Sequence, residues 1–511
     1  MYMNKAQKRL EQLRDVVHKE EGSKFPSSIY SDLVLTPGFE HAVENYLYDY
    51  RQVNIAHLSM LVEENLIDFE TAKTIMKAIE GTDYESYRRM KYTGEYEDLY
   101  FALEADIIRQ AGPRGGLVHL ARSRNDIDST LQRILVKRLI LEVMKEQKRF
   151  LGTVLTFADA YKDVPTIAHT HSQQAQPSVM GHYFLAVFNL VYRDFIRLQH
   201  AFENVDYSPM GAAAITTSGF AVNRERVAHL LGFSHVMENS YDSIGGADYM
   251  LEYASAIQIA AIDLGKFVFD LYCWGTQEFD IIKIDDPFIQ VSSIMPQKRN
   301  PVAIEHCRAF LSSVVGQANT LLTMMHNTPY GDINDQEDDT LPFLTGAAHT
   351  LGKVYHLLAS IIATLKVNSN LLAQRLERSF CVVTELADTL VRNENISFRE
   401  AHSVASAIVG YCLKNDMKLS DITFDLIDNV YKETLHKEMK GSKESVLKSL
   451  TARNFIDKRK VEGGIAIEPM LEMLKHGEEK VASIANQIAV DEKPMQDALA
   501  ECNKLAQKLS S

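Results

Sequence analysis

The chain has 511 residues, of which 46% are hydrophobic and 24% are charged, the balance of a soluble globular protein rather than of a disordered or fibrous one. A chain of this length exceeds one core of ordinary size, so two or three cores or one elongated core are expected. The formal net charge of −14 argues against a general nucleic-acid binder, which carries a basic surface, but it leaves room for a local basic pocket that binds a small dianion.

The N-terminal segment and the most apolar stretch both lack the features of membrane insertion. Residues 1–24 form a charged amphipathic stretch without the hydrophobic run of a signal peptide. Residues 254–274 are interrupted by Asp263, Lys266 and Asp270, which favours a buried helix over a membrane span. The five cysteines are scattered, with no metal-ligand spacing. We therefore predict a cytoplasmic protein with no membrane contact and no metal site.

Long amphipathic helices are predicted through the middle of the chain, because apolar residues recur there at three- and four-residue spacing. Each is about 25 residues or longer, which corresponds to a rod of about 40 Å. Several carry apolar residues on more than one face, as buried helices do. The pattern predicts an all-α fold with a central bundle that favours oligomerisation. The segments are 129–161, 179–205, 249–274, 301–327 and 340–365.

The same pattern divides the chain into three predicted domains. Residues 1–121 form an N-terminal helical domain, 122–368 the central bundle with the oligomer contacts and the active site, and 369–511 a C-terminal helical domain. Loops rich in Gly, Pro, Ser, Thr and Asn connect the long helices, and functional residues concentrate in loops that rigid elements position.

The loop before the fourth long helix carries the clearest chemistry. A pair of serines is followed by Met-Pro and then by Gln-Lys-Arg-Asn-Pro, over residues 292–301. Cations and helix-end N–H groups suit a substrate with carboxylates. A serine becomes a base only where its alkoxide is stabilised, which a lysine and backbone donors can do. A capped helix start with a solvated basic turn also fits, and composition alone favours that interpretation.

The segment SSIMPQKRNP resembles the characteristic loop of the fumarase/aspartase superfamily. The resemblance implies that superfamily's all-α fold, a central bundle of long helices flanked by two smaller helical domains. It implies Ser292 as the base that removes a proton beside a carboxylate, with Lys298 and Asn300 holding the resulting dianion. Val291 stands where the family usually has glycine.

Residues 120–126 read LARSRND and are similar to the GRSRND motif of the argininosuccinate lyase family. The resemblance implies that Ser123, Arg124, Asn125 and Asp126 contact substrate. An arginine binds a carboxylate through two parallel hydrogen bonds, and an asparagine amide can donate a further hydrogen bond to a carboxylate oxygen. Without the other motifs, a hydrophilic helix cap would be the simpler explanation.

The segment HTHSQQAQP, from residue 169, resembles the THLQ-AQP segment of the same family. The resemblance assigns Thr170 and His171 to substrate binding and proton transfer and Gln174 to a supporting position. In the family a glutamate at the position of Glu305 pairs with this histidine. A carboxylate partner fixes the tautomer of an imidazole and raises its basicity.

Two departures from the family concern the leaving group. Tyr330 and Gln336 match substrate contacts, but Asp339 falls where the family has a lysine and Ala247 where it has an arginine. Arginine and lysine are the natural partners of substrate carboxylates. The leaving amine therefore stays open between argininosuccinate and another N-substituted aspartate, and a catalytically inactive structural relative is a third alternative.

Taken whole, the resemblance implies a carbon–nitrogen lyase that releases fumarate and arginine by β-elimination, in arginine biosynthesis. It implies a homotetramer whose active sites are each shared between subunits. The implied ligand is a di- or tricarboxylate, with no cofactor, metal or nucleic acid.

Overall fold

The computed structural model describes residues 5–334 and 339–511, and the predicted all-α class is confirmed over that part of the chain. The N-terminal region consists of short and medium helices, and α1 buries none of its side chains. These helices are α1 (Lys5–Glu21), α2 (Ser28–Tyr30), α3 (Thr36–Asn45), α4 (Leu47–Glu63), α5 (Phe69–Gly81), α6 (Tyr84–Arg89) and α7 (Leu99–Ala111), with a π-helical turn at Ser31–Leu35 and a 3-10 helix at Pro113–His119.

The five predicted long helices are present and form one bundle. They are α8 (Arg124–Ala160), α9 (Met180–Val205), α12 (Asp248–Trp274), α13 (Val302–Met324) and α14 (Leu341–Thr364), with α10 (Arg224–Leu230) and α11 (Asp242–Gly245) between them. In the bundle α8 packs on α9 and α14, and α13 packs on α12 and α14. The first long helix begins five residues earlier than predicted, because the Ser123 side chain caps it.

Aromatic side chains hold the middle of the bundle together. Phe150 of α8 packs edge-on against Phe267 of α12 at 6.2 Å between ring centroids and against Tyr355 of α14 at 5.5 Å. Phe184 of α9 meets Phe267 at 5.7 Å. All four rings are almost fully buried, and burial of a ring of this size contributes about 2 kcal/mol. The four helices are therefore fixed against one another around this cluster.

The sequence did not predict the strands, which are short. β1 (Pro165–Thr170) and β2 (Gln173–Val179) form an antiparallel hairpin between α8 and α9. Its two-residue turn consists of His171 at φ 52° and Ser172 at φ 59°, the left-handed backbone that tight hairpin turns require. The remaining strands pair two residues at a time: β3 (Tyr207–Ser208) with β4 (His235–Val236), β5 (Ile282–Lys283) with β8 (Lys366–Val367), and β6 (Gln290–Val291) with β7 (Arg299–Asn300).

The C-terminal region consists of a small group of helices and one long helix that packs back on earlier helices. The group contains α15 (Ser369–Arg378), α16 (Val383–Glu394), α17 (Phe398–Lys414), α18 (Phe424–Leu435), α19 (Lys443–Ser449) and α20 (Ala452–Lys458). The last helix, α21 (Ile467–Ser510), has 44 residues and packs along α8, α4 and α5. It thereby joins the end of the chain to the N-terminal helices. Among the described residues, no helix is long and apolar enough to cross a membrane.

The junction of the hairpin with the bundle tolerates only a glycine at residue 181. The Gly181 N–H donates to the Tyr161 carbonyl oxygen at 3.0 Å. A Cβ atom there would overlap the Ala158 carbonyl oxygen and lie 2.8 Å from the Lys162 Cα. We predict that Gly181→Ala lowers the thermal unfolding midpoint, because overpacking against backbone costs about 1–3 kcal/mol.

The matched control is Gly410→Ala in α17, where an added Cβ meets no atom within 4 Å. This control is expected to unfold at the same or a higher temperature, since alanine is favoured over glycine in a helix by about 1 kcal/mol. Equal midpoints for the two variants would contradict the predicted overlap at residue 181.

Candidate active site

The first predicted substrate segment opens α8. Ser123 caps the helix and its Oγ lies 3.0 Å from the Asn125 Oδ1. Arg124 lies among three carboxylates, with its guanidinium 3.0 Å from Glu97, 3.2 Å from Asp98 and 3.5 Å from Asp128. Carboxylates on several sides hold the guanidinium in one orientation. Ser123, Arg124 and Asn125 are all partly exposed, so each is open to a ligand.

The expected substrate contact of Asp126 is wrong. Its side chain is fully buried, and its carboxylate accepts the N–H groups of Ser123 at 2.7 Å, Gly211 at 2.8 Å and Ala213 at 3.1 Å. Burial raises the pKa of Asp126 although these donors and Arg122 oppose the shift. Asp126 is a positioning residue that ties the start of α8 to the loop after β3.

The second segment forms the tip of the β1–β2 hairpin. Thr170 and Gln173 are the last paired residues, and His171 and Ser172 make the turn. The side chains of Thr170, His171 and Gln174 are exposed. The hairpin base packs on α15 and α20, and His182 Nε2 lies 3.0 Å from the Gly463 carbonyl oxygen. The tip projects from a base that the C-terminal helices support.

The third segment is a loop closed at its base by the β6–β7 pair. Inside it, Ser292 Oγ accepts the N–H of Met295 at 3.1 Å and that of Ile294 at 3.4 Å. Lys298 donates its N–H to the Met295 carbonyl oxygen at 2.9 Å. The Lys298 side chain is exposed, whereas Ser292 and Asn300 are partly buried. Two backbone donors directed at one serine oxygen stabilise its anionic form.

Glu305 lies in the first turn of α13, with its side chain exposed. Within the described residues no hydrogen bond or ion pair joins it to His171. Their predicted pairing is therefore not formed inside one chain.

Tyr330 lies on the loop between α13 and α14. Its hydroxyl donates to Asp242 Oδ1 at 2.5 Å, and its ring stacks on Tyr241 with 5.7 Å between centroids. The hydrogen bond to the Asp242 carboxylate raises the pKa of Tyr330 to about 12. Gln336, the other predicted contact on this loop, lies outside the described residues.

Ala247 and Asp339, the two residues that differ from the family pattern, line neighbouring cavities. Ala247 shares a cavity of about 570 Å³ with Tyr330, Asp242 and Arg133, and Asp339 shares one of about 100 Å³ with Arg124. Sequence reasoning missed Arg133, which is 2% exposed and lies 4.1 Å over the Tyr249 ring. No motif marks it, since only the fold brings this α8 residue beside Ala247.

The site residues fall at two ends of the bundle. Arg124 begins α8, and the hairpin follows its end at Ala160. The 37 residues of α8 span about 55 Å, and a six-residue strand reaches back only about 20 Å. The Ser292 loop belongs to the hairpin end, because Trp274 at the end of α12 packs on Tyr183 beside the hairpin with 4.6 Å between rings.

Tyr330, in contrast, belongs to the Arg124 end, where Gly331 lines a small cavity with Ser129 and Gln132 of α8. One copy of the chain therefore carries two half-sites that are too far apart to meet. Within residues 5–334 and 339–511, no group of three His, Cys, Asp or Glu side chains could hold a metal ion.

The bundle of long helices is a fumarase-like fold, and the match to a lyase family model gives the class of protein, a lyase. The lyase family model matches residues 62–316, and the argininosuccinate lyase C-terminal model matches residues 380–457. EDDS lyase in complex with formate superimposes with a TM-score of 0.83 at 22% identity, covering 97% of this chain and 98% of that one. The class II fumarase of Schistosoma mansoni superimposes with a TM-score of 0.62 at 14% identity, covering 79% and 90%.

The curated relatives identify the family within this class of lyases. Argininosuccinate lyase 2 of Agrobacterium fabrum is 38% identical over 456 residues, covering 89% of this chain and 90% of the relative. The argininosuccinate lyase of Methanosphaera stadtmanae is 32% identical, covering 81% and 89%. The chain belongs to the argininosuccinate lyase family, and it is a carbon–nitrogen lyase.

The role of Asp126 gives a stability prediction. In Asp126→Asn an amide N–H₂ must face backbone N–H donors that are buried, and each unsatisfied buried donor costs about 1–3 kcal/mol. We expect urea unfolding to show a loss of about 3 kcal/mol. The control Asp497→Asn, at an aspartate 62% exposed on α21, should change the free energy of unfolding by less than about 0.5 kcal/mol. A loss no larger than the control's would refute the positioning role.

Proposed function

We propose that the chain cleaves argininosuccinate reversibly into arginine and fumarate. The observation that carries the proposal is the Ser292 loop, where two backbone N–H groups are directed at the serine oxygen and Lys298 and Asn300 follow at its base. This arrangement suits abstraction of a proton beside a carboxylate. The family of the chain supports argininosuccinate as the substrate, since its curated relatives carry that name.

In the proposed reaction the Ser292 alkoxide takes a proton from the succinyl carbon next to a carboxylate. Lys298, Asn300 and the loop N–H groups stabilise the dianion that forms, because preorganised donors act most strongly on developing negative charge. The electron pair left on that carbon forms the double bond of fumarate as the carbon–nitrogen bond breaks. The departing nitrogen receives a proton from an acid, which we assign to His171, directly or through water.

We further propose a homotetramer in which each site takes its parts from three copies. The two half-sites of one chain lie at opposite ends of α8, so complete sites need neighbouring copies packed in opposite directions. Large apolar side chains remain exposed on the bundle, with Ile262 at 49%, Phe269 at 54% and Phe310 at 45%. Ile262 and Phe269 are seven residues apart on one face of α12, as a helix-packing stripe requires.

In this assembly Glu305 of one copy meets His171 of another and fixes its tautomer. Thr170 and Gln174 lie beside that histidine, and Ser123, Arg124 and Asn125 come from a third copy. The predicted domains then have separate roles. The central bundle 122–368 holds the subunits together, 1–121 surrounds the Arg124 end, and 369–511 contributes the helices that support the hairpin.

The leaving group is bound at the Arg124 end. Arg133 supplies positive charge beside Ala247, where the family has an arginine, and the Tyr330 hydroxyl oxygen can accept a hydrogen bond there. Asp339 favours a second candidate function, cleavage of another N-substituted aspartate, because a carboxylate in the wall disfavours a leaving group with a carboxylate of its own. Arginine biosynthesis is the pathway we assign to the main candidate, and free cysteines throughout the described chain support a cytoplasmic location.

Removal of the base tests the reaction. Ser292→Ala should release fumarate from argininosuccinate, followed by its ultraviolet absorbance, at least about 10³-fold more slowly than the unmodified chain. The control Ser312→Ala changes an exposed serine on α13 whose hydroxyl bonds only its own helix, and it should keep full activity. Release of fumarate from a different N-substituted aspartate alone would move the assignment to the second candidate.

Mixing two inactive variants tests the shared site. Ser292→Ala and Arg124→Leu disable opposite ends of the chain, so each is expected to be inactive alone. After joint unfolding and refolding, about a quarter of the sites should draw both ends from intact copies and regain activity. Continued inactivity of correctly sized mixed oligomers would show that each site is built within one chain.

A further inference from the structure

The loop that carries Ser292 has a narrow attachment to the rest of the molecule. Its base is a ladder of two residue pairs, Gln290 with Asn300 and Val291 with Arg299. The contacts of Ser292 and Lys298 described above stay inside the loop. Ile294 at its tip is 81% exposed. The position of the serine oxygen therefore depends on how the base of the loop is held.

Arg299 makes the contacts that hold this base. Its guanidinium donates to the Ile284 carbonyl oxygen at 2.9 Å and pairs with Asp286 at 2.7 Å. The hydrogen bond and charge of Arg299 lower the pKa of Asp286. Successive side chains of a strand point to opposite faces, so Asn300 is directed to the other face from Arg299.

Two lysines lie close to this ion pair, in which the Asp286 side chain is 81% exposed. Arg299 lines a cavity of about 480 Å³ together with Lys283 and Lys366. The two lysines lie directly opposite each other on β5 and β8, an arrangement of like charges that is unfavourable. Within the described residues neither lysine forms an ion pair. Asp286 pairs with Arg299, and a second carboxylate, Asp280, lines the cavity.

We propose that Arg299 and Asp286 are positioning residues for the Ser292 loop. Arg299 touches neither the reacting atoms nor Ser292. It fixes the β6–β7 ladder against residues 284–286, and the ladder sets where the serine oxygen points. The inference rests on the proposed function in that Ser292 is the base.

The main test compares Arg299→Met with Arg299→Lys and with Arg114→Met. Arg114 pairs with Asp68 at 2.8 Å in an exposed ion pair of similar form and serves as the matched control. Arg299→Met should lower kcat about tenfold with KM changed less than about threefold, because a base displaced by a fraction of an ångström loses rate rather than substrate affinity. Arg299→Lys should recover part of kcat, and Arg114→Met should match the unmodified enzyme.

Hydrogen exchange provides a readout that does not depend on turnover. The amides of residues 290–300 should exchange faster in Arg299→Met than in the unmodified protein, with those of α13 unchanged. Unchanged kcat and unchanged exchange would overturn the proposal. If the unmodified protein releases no fumarate but exchange quickens in the variant, the proposed reaction fails while the anchoring of the loop stands.

Asp286→Asn separates electrostatic positioning from simple packing. Without its carboxylate partner, Arg299 lies beside Lys283 and Lys366 with only Asp280 as a nearby anion, so kcat should fall about fivefold at low ionic strength. Salt at about 0.5 M shortens the screening length to a few ångströms and should restore activity relative to the unmodified enzyme, as should the added substitution Lys366→Met. A defect that neither salt nor Lys366→Met changes would contradict the electrostatic role.

Discussion

The packing of α8 through the centre of the bundle is the constraint on which the other features depend. The aromatic cluster of Phe150, Phe267 and Tyr355 fixes this helix against its neighbours, and a rigid rod of about 55 Å determines where both of its ends lie. Arg124 lies at the first end of α8, and the hairpin that carries His171 follows the other end. The length of the rod keeps the Arg124 end and the hairpin end of one copy far apart.

Each half-site is in turn held by a contact that supplies no chemistry itself. At the Arg124 end the buried carboxylate of Asp126 gathers three backbone N–H groups. At the other end Gly181 lets the hairpin pack closely on α8. Arg299 anchors the base of the serine loop through the Ile284 carbonyl oxygen and Asp286. The candidate site residues lie on loops or at a helix start, and buried or charged residues nearby in the chain anchor these segments.

The helices were predictable because their apolar periodicity is strong, as in 249–274, which is observed as Asp248–Trp274. The start of α8 was not, since Ser123 caps the helix where Asp126 is held by the N–H groups of Gly211 and Ala213, which are distant in sequence. The hairpin was missed because its His171–Ser172 turn lacks the Asn-Gly pair that marks such turns. Motifs identified Ser292 and Arg124, but they carry no information on which end of the bundle each occupies, and Arg133 belongs to no motif.

The long return of α21 has a consequence for the order in which the protein can be made. This helix packs on α4, α5 and α8, and the Lys73 ammonium donates to the carbonyl oxygen of the final residue, Ser511. More than 400 residues separate α5 from that partner, so at 5–20 residues per second the ribosome needs on the order of a minute to supply it. Until α21 is synthesised, the faces of α4 and α5 that it covers in the folded protein stay uncovered.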